Sequence, residues 1–249
     1  MTAQPQKRNG ADLARGHRVH AYDQELARLS DLVLEMGRQV VTQTQAAISS
    51  LLEEDLNPAY RVLDRESQID YLSLDVDEEV FRLITRRQPA AIDLRIVMAL
   101  SRVAGMAERA ADKAARIAHN TLDYRTDDTP VPTPLEATLS AECALACSAF
   151  EHSIAALAEF DINLALGVFE DEPALIQASH TTRKTLLEQT EVQLPPVKLA
   201  SLLLIAHSLE SIGRHASAIA EQVIYVVDGT DVRYRNREIL IETLRHHHS

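Results

Sequence analysis

The feature that most limits the possible folds of this chain is an internal repeat. The segment DLNPAYRVLDRES at 55–67 aligns without a gap with DINLALGVFEDEP at 161–173. The segments AERAADKAARIA at 107–118 and LESIGRHASAIA at 209–220 align in the same way. Self-similarity of this kind indicates that one supersecondary unit of about 100 residues occurs twice.

Each copy carries three long helical patterns. Apolar residues recur at alternating spacings of three and four, which is the period of an amphipathic helix. The pattern is clear in the first helix, at Tyr22, Leu26, Leu29, Val33, Met36 and Val40. The chain has only 7 Gly and 9 Pro among its 249 residues, which also favours helices. The sequence therefore predicts an all-α protein made of two tandem antiparallel three-helix bundles.

Prolines mark the boundary between the two copies. The segment DYRTDDTPVPTPLE at 123–136 holds three prolines within five residues, and such a density excludes a helix interior. The predicted organisation is a flexible N-terminal tail at 1–19, a first bundle at 20–122, a linker at 123–134, a second bundle at 135–236 and a C-terminal tail at 237–249.

The net charge of −12 limits the classes of partner. Nucleic-acid phosphates are bound by concentrated Lys and Arg, so we expect no nucleic-acid partner. No apolar run approaches the roughly 20 residues that a membrane-spanning helix needs. The N-terminal segment also lacks the apolar stretch of a signal peptide. We therefore expect a cytoplasmic protein without direct membrane insertion.

Two helical seams of the first copy carry carboxylates. Glu66 and Asp70 lie in ESQID, and Glu108 and Asp112 lie in ERAAD, so each pair shares one helical face. The two glutamates fall on the apolar seams, which predicts that both pairs converge. Close carboxylates repel and are costly to bury. Either a cation such as Mg²⁺, Mn²⁺, Zn²⁺ or iron or salt bridges from neighbouring basic residues would relieve that cost. The predicted metal ligands are Glu66, Asp70, Glu108 and Asp112.

The second copy keeps the glutamates and loses the aspartates. Repeat alignment matches Glu66, Asp70, Glu108 and Asp112 with Glu172, Ile176, Glu210 and Arg214. A guanidinium beside Glu210 neutralises it directly. We therefore predict a degenerate second site at Glu172, Glu210 and Arg214, which has exchanged its metal for a salt bridge or binds metal weakly. His180 and His207 are alternative ligands, although such histidines are more often plain surface or core residues.

The same segments resemble a known family. RRQPAAIDLRIVMALSRVAGMAERAADKAARIA resembles the first repeat of PhoU, which typically has Q-P-x-A-x-D-L-R followed by a helix bearing E-R-I-G-D-H-A. LESIGRHASAIAEQVIYVVDGTDVRY resembles the end of the second repeat. The resemblance spans 20–236, although Ala111, Lys113 and Arg214 depart from the family pattern.

The resemblance implies two three-helix bundles related by pseudo-two-fold symmetry, often assembled as a homodimer. It also implies metal sites at the E/D-x-x-x-D pairs. Members of this family act in phosphate homeostasis and repress the phosphate-starvation response by linking a high-affinity phosphate ABC transporter to a membrane sensor histidine kinase. The transporter ATPase and the kinase are therefore the expected partners. Asp93 and Arg95, near a helix start, are candidate contacts.

The residues favour a non-enzymatic adaptor over an enzyme. The sequence offers no P-loop, no dinucleotide fingerprint and no nucleophile with a positioned base. The alternative is a di-metal carboxylate enzyme or metal store built in a helical bundle. Such sites usually need E-x-x-H on two helices, and no pair of this kind is placed inward here.

Overall fold

The computed structural model describes residues 10–188, 194–233 and 235–248. Its helices are α1 (Gly10–Leu52), α2 (Asn57–Asp64), α3 (Glu66–Arg87), α4 (Ala91–Tyr124), α5 (Thr133–Glu159), α6 (Ile162–Leu187), α7 (Pro196–Asp228) and α8 (Arg237–His248). The described residues contain no strand, so the predicted all-α class is confirmed. No helix in these ranges has the length and apolar character that crossing a membrane requires.

The helices form the two predicted three-helix bundles. In the first bundle, α1 and α4 pack with the short α2 and with α3. In the second bundle, α5 packs with α6 and α7. The two bundles join where α4 lies along α7 and α1 lies against α5. Each copy of the sequence repeat therefore folds into one packed helical bundle.

Some boundaries differ from those expected. Residues 1–9 of the predicted tail lie outside the described residues, and α1 already begins at Gly10. The second helical pattern is interrupted at Arg65, which ends α2 and precedes α3. Residues 237–249, expected as a tail, form α8 up to His248. This helix has an apolar face, on which Leu240 and Leu244 are buried against the core.

The pattern of buried positions along α1 is repeated along α5. Leu29 and Leu51 on α1 correspond to Leu135 and Leu157 on α5 when the repeat alignment is continued into these helices. Every position that is buried between Leu29 and Leu51 is also buried at its counterpart on α5, and the reverse holds as well. The two copies therefore share one core plan, and a change of residue type at a core position marks where they diverge.

The α4–α7 contact relates the two copies to each other. Arg95 lies against Gly229 at one end of the pair, and further along Arg102 Nη1 donates to Gln222 Oε1 at 3.2 Å. The partners run in opposite order along the two helices, so α4 and α7 are antiparallel. In this register Ala111 is level with Gly213, its own repeat counterpart. The pseudo-two-fold axis therefore passes between these two helices.

One core position breaks the plan. Glu142 on α5 is 0% exposed and occupies the position that Met36 occupies on α1. Within the described part of the chain, neither of its carboxylate oxygens has a hydrogen-bond partner. Burial raises the pKa of Glu142 to about 7, although the nearby hydroxyls of Ser179 and Thr182 and the charge of Arg183 act to lower it. The second bundle thus holds a carboxyl group whose neutral form fits its core better than its charged form.

Replacing Glu142 by Met, the residue of the first copy, should remove a pH dependence of stability. The folded state binds the Glu142 proton more tightly than the unfolded state, in which the pKa is ordinary, near 4.5. The wild-type chain should therefore lose stability as the pH rises from 4.5 to 7, by up to about 3 kcal/mol. Urea unfolding at pH 5 and pH 8 measures this difference.

Glu151→Gln is the matched control, because Glu151 lies on the same helix but is exposed. We expect the gain in free energy of unfolding of Glu142→Met over the wild-type chain to be larger at pH 8 than at pH 5. We expect Glu151→Gln to keep the wild-type pH dependence. A Glu142→Met variant with the same pH dependence as the wild-type chain would show that Glu142 is not a buried titrating group.

Candidate functional site

The carboxylates of the first copy lie where α3 begins and midway along α4. Ile69 occupies the core-facing side of α3 and is fully buried, whereas Glu66 and Asp70 on either side of it are exposed. The break at Arg65 explains the position of Glu66. Glu66 is the first residue of a new helix, where the helix dipole favours a carboxylate in solvent. The structure therefore does not place Glu66 on the buried seam.

The other three carboxylates act on one another. Glu108 is half-buried and accepts a hydrogen bond from Ser73 Oγ at 2.6 Å. Partial enclosure of Asp112, together with the charges of Asp70 and Glu108, raises the pKa of Asp112 above its ordinary value. Lys113 offsets this rise in part. Asp112 therefore lies in the field of two nearby carboxylates, and Asp70, Glu108 and Asp112 form a carboxylate cluster.

This cluster has the charge but not the arrangement of a metal centre. Within the described ranges, no three His, Cys, Asp or Glu side chains stand in an arrangement that holds a metal ion. Partial burial is the main cause of the raised pKa of Asp112, and the charges of Asp70 and Glu108 add to it, so a cation would favour the charged form of Asp112. The predicted ligand set stays a prediction, and its four members would have to move together to coordinate one ion.

Glu210 in the second copy is held by arginines. Arg183 Nη1 donates to one carboxylate oxygen, and Arg214 Nη1 donates to the other at 3.3 Å. Ser179 Oγ also donates to Glu210 at 3.2 Å. Burial acts to raise the pKa of Glu210, but these partners outweigh it and the pKa is lowered. The salt bridge expected from Arg214 is present, and Arg183 strengthens it.

Glu172 is neutralised in a similar way by a residue that the sequence analysis missed. Ser217 Oγ donates to Glu172 at 3.0 Å, and Arg237 Nε lies 3.6 Å from the carboxylate. The Arg237 guanidinium also donates to Glu221 at 2.6 Å and stacks 3.9 Å from the centre of the Phe169 ring. Arg237 begins α8, in a segment that the sequence predicts to be a tail, and no linear motif connects it with Glu172. Both glutamates of the second copy therefore have cationic partners.

The two candidate histidines take no part in these ion pairs. His180 and His207 are both exposed, on α6 and α7. Neither makes an ion pair with a carboxylate in the described part of the chain. The arrangement in the second copy is thus a set of salt bridges in which arginine provides the positive charge.

Comparison with known proteins now identifies the family. The sequence profile of the PhoU domain matches residues 33–121 and 139–223, which fall in the first and the second bundle. The chain belongs to the PhoU family. Each copy of the internal repeat is a PhoU domain, and the resemblance described above is confirmed.

Relatives of this PhoU-family chain match over most of its length. The phosphate-specific transport system accessory protein PhoU homolog of Burkholderia sp is 32% identical over 228 residues, which are 91% of this chain and 97% of that protein. The homolog of Pseudomonas putida is 31% identical over 221 residues, covering 88% of this chain and 85% of that protein.

Two crystal structures have the same fold. PhoU from Pseudomonas aeruginosa superposes with a TM-score of 0.76 at 28% identity, covering 84% of this chain and 100% of that chain. PhoU from Streptococcus pneumoniae superposes with a TM-score of 0.77 at 21% identity, covering 85% of this chain and 99% of that chain.

The two PhoU segments recognised in the sequence meet in space. Arg95 comes from the Q-P-x-A-x-D-L-R segment, and Gly229 comes from the tail segment that follows α7. Gly229 ends α7 in the left-handed conformation, with a φ of 80°, and a Cβ atom built there would lie 2.8 Å from Arg95 Nη1. The guanidinium thus lies at the carboxyl end of α7, where the helix dipole favours positive charge.

Asp93 and Arg95 were candidate partner contacts, and both are only partly exposed. Asp93 lies in the first turn of α4, a favourable position for a carboxylate. Burial raises the pKa of Tyr22, and the charge of Asp93 adds to this effect. The Arg95 Nε atom is buried. Arg95 therefore takes part in the contact of α4 with α7, and the role of Asp93 and Arg95 as partner contacts stays a prediction.

Gly229→Ala should destabilise the chain by about 1–2 kcal/mol, because alanine disfavours a positive φ and its Cβ would displace Arg95. Gly167→Ala is the matched control. Gly167 lies inside α6 and a Cβ there meets no atom within 4 Å, so that alanine should stabilise by up to about 1 kcal/mol. Thermal or urea unfolding measures both changes. Equal stability of the two variants would contradict the Arg95–Gly229 contact.

Proposed function

We propose that the chain is a non-enzymatic regulator of phosphate homeostasis that represses the phosphate-starvation response. It links the ATPase of a high-affinity phosphate ABC transporter to a sensor histidine kinase, as a homodimer in the cytoplasm. The observation that carries the proposal is the match of the PhoU domain to both bundles, together with relatives named as accessory proteins of phosphate-specific transport.

An exposed apolar stripe on α3 supports a docking role. Tyr71, Leu74 and Phe81 follow one another at spacings of three and seven, so they share one helical face. These side chains are 67%, 61% and 71% exposed. Two of their three repeat counterparts are polar, since Gln177 and His180 on α6 stand where α3 has Tyr71 and Leu74, and only Phe81 has an apolar counterpart. The stripe is therefore a property of the first copy and is not required by the shared core.

The charges around the stripe indicate what it binds. The exposed acidic residues of α3 that flank it are Asp70, Asp75, Asp77 and Glu78. An apolar centre with an acidic rim matches a partner with an apolar patch and a basic rim. We assign this face to the transporter ATPase, because the named relatives are accessory to the transport system and not to the kinase.

Phe81→Asp should weaken binding of the ATPase by at least about tenfold, because burying one large apolar side chain is worth about 1.5–3 kcal/mol. Leu187→Asp is the matched control, since Leu187 is the repeat counterpart of Phe81 on α6 and is 69% exposed. Affinity capture from phosphate-replete cells, with the ATPase and the kinase quantified by mass spectrometry, measures the effect.

Both positions are exposed, so the variants should fold as the wild-type chain does, and circular dichroism checks this. Normal recovery of the ATPase by Phe81→Asp would overturn the assignment of the α3 stripe. Loss of the ATPase from Leu187→Asp as well would show that added negative charge, and not the stripe, is responsible. Absence of both the ATPase and the kinase from the wild-type capture would overturn the proposed function itself.

A cation at the carboxylate cluster is a second proposal for the first copy. It is supported by the like charges of Asp70 and Glu108 beside Asp112, which a divalent or iron-type cation such as Mg²⁺, Mn²⁺, Zn²⁺ or iron would offset. Such an ion would supply positive charge and stability here. The site offers it oxygen ligands, which suit hard cations best.

Replacing Glu108 and Asp112 together by Ala should lower the metal content of the chain, because it removes two of the three carboxylates of the cluster. Replacing Glu210 and Arg214 together by Ala is the control, since this pair holds the equivalent positions in the second copy. Elemental analysis after loading with Mn²⁺ and removal of free metal gives the stoichiometry. Unchanged metal content in the first variant would overturn the predicted ligand set.

A further inference from the structure

A cleft of about 440 Å³ opens between α4 and α7, beside the pseudo-two-fold axis. The α4 side is lined by Arg109, Asp112 and Lys113. The α7 side is lined by their repeat counterparts Ser211, Arg214 and His215, together with His207. Because equivalent positions of the two copies face one space, every difference between the copies at these positions changes the charge of the cleft.

Two of the cations in the cleft have no ion pair. Among the described residues, no carboxylate lies within ion-pair distance of Arg109 or Lys113. The Arg214 guanidinium divides its donors between Glu210, at 3.3 Å, and Ser211 Oγ, at 3.0 Å. Its contact with Glu210 is the longer of the two arginine contacts to that carboxylate. All three cations therefore have donors available to a ligand.

His215 lies in a partly buried position close to the cations of the cleft. Burial lowers the pKa of His215 to about 4, and the positive charges of Arg109, Lys113 and Arg214 act in the same direction. The imidazole is therefore neutral at pH 7. The charged side chains that line the cleft are these three cations and Asp112, which sum to +2 in a chain whose overall charge is −12. Glu210 contacts Arg214 from outside this lining, and Arg183 is its nearer partner.

We propose that this cleft binds a tetrahedral oxyanion of the phosphate class, held by Arg109, Lys113 and Arg214. Guanidinium groups match the spacing of phosphate oxygens, and the net charge matches a dianion. The neutral imidazole of His215 supplies a further polar contact at the same wall. The Ser211 hydroxyl donates to the His207 carbonyl at 2.8 Å and accepts from Arg214, so it orients the guanidinium. The proposal rests on the cleft and not on the docking of a transporter or a kinase.

The repeat explains why this chain gains such a site. Asp112 and Arg214 occupy equivalent positions. With aspartate at both positions, the cleft would hold two cations and two carboxylates, and it would have no net attraction for an anion. The guanidinium at position 214 thus has two effects, since it neutralises Glu210 and makes the cleft positive. At this position the second copy lacks a carboxylate that attracts a cation and has instead a guanidinium that attracts an anion.

Isothermal titration of the purified chain with inorganic phosphate, in a phosphate-free buffer at low salt, tests the proposal. We expect saturable binding that weakens as NaCl is added, because the attraction is between charges near solvent. Arg214→Asp and Lys113→Met should each weaken binding by at least about tenfold. Arg61→Gln should bind as the wild-type chain does, since Arg61 is exposed on α2, away from the cleft.

A parallel titration with glycerol 3-phosphate distinguishes the sources of the phosphate group. Tighter binding of inorganic phosphate assigns the cleft to the free ion, and tighter binding of the ester assigns it to a phosphoryl group on a larger molecule. Either result supports the proposal. Absence of binding of both ligands at millimolar concentration overturns it, and so does unchanged affinity in both cleft variants, with folding checked by circular dichroism.

Discussion

The antiparallel packing of α4 against α7 is the contact on which the rest of this structure depends. Small residues make the approach possible, and the buried ones on α4 are Ala99, Ala104, Ala107, Ala110, Ala111, Ala114, Ala115 and Ala118. Because the contact joins equivalent helices of two PhoU domains, it places the same sequence motif of each copy at one axis. The Arg95–Gly229 and Arg102–Gln222 contacts fix its register.

The two copies share a core plan and differ in how they balance charge. The first copy leaves Asp112 beside the like charges of Asp70 and Glu108. The second copy places arginines on its glutamates, with Arg183 and Arg214 on Glu210 and with Arg237 of α8 on Glu172. Close carboxylates need positive charge, and the copies differ in whether a side chain supplies it. In the second copy, both glutamates are therefore paired with arginines, and these salt bridges lie beside a basic cleft.

Periodicity and repeat alignment predict the all-α bundles well, since the seam residues Leu29, Val33, Met36 and Val40 are all buried. They do not predict the break at Arg65, which moves Glu66 to an exposed helix start, because no proline or glycine marks it. Arg214 follows from its spacing of four from Glu210, whereas Arg183 and Arg237 reach across helices. Extending the repeat alignment into α5 would have placed Glu142 opposite Met36. The family match came from linear motifs, which the fold then brought together.

The central claim is that the repeat axis brings equivalent positions together and that Arg214 makes their shared cleft positive. Crystals of the chain grown with arsenate, a phosphate analogue that scatters anomalously, test it most directly. The account predicts an anomalous peak between α4 and α7, within contact distance of Arg109, Lys113 and Arg214. A map with no peak there, or one in which α4 and α7 are not antiparallel neighbours, would contradict it.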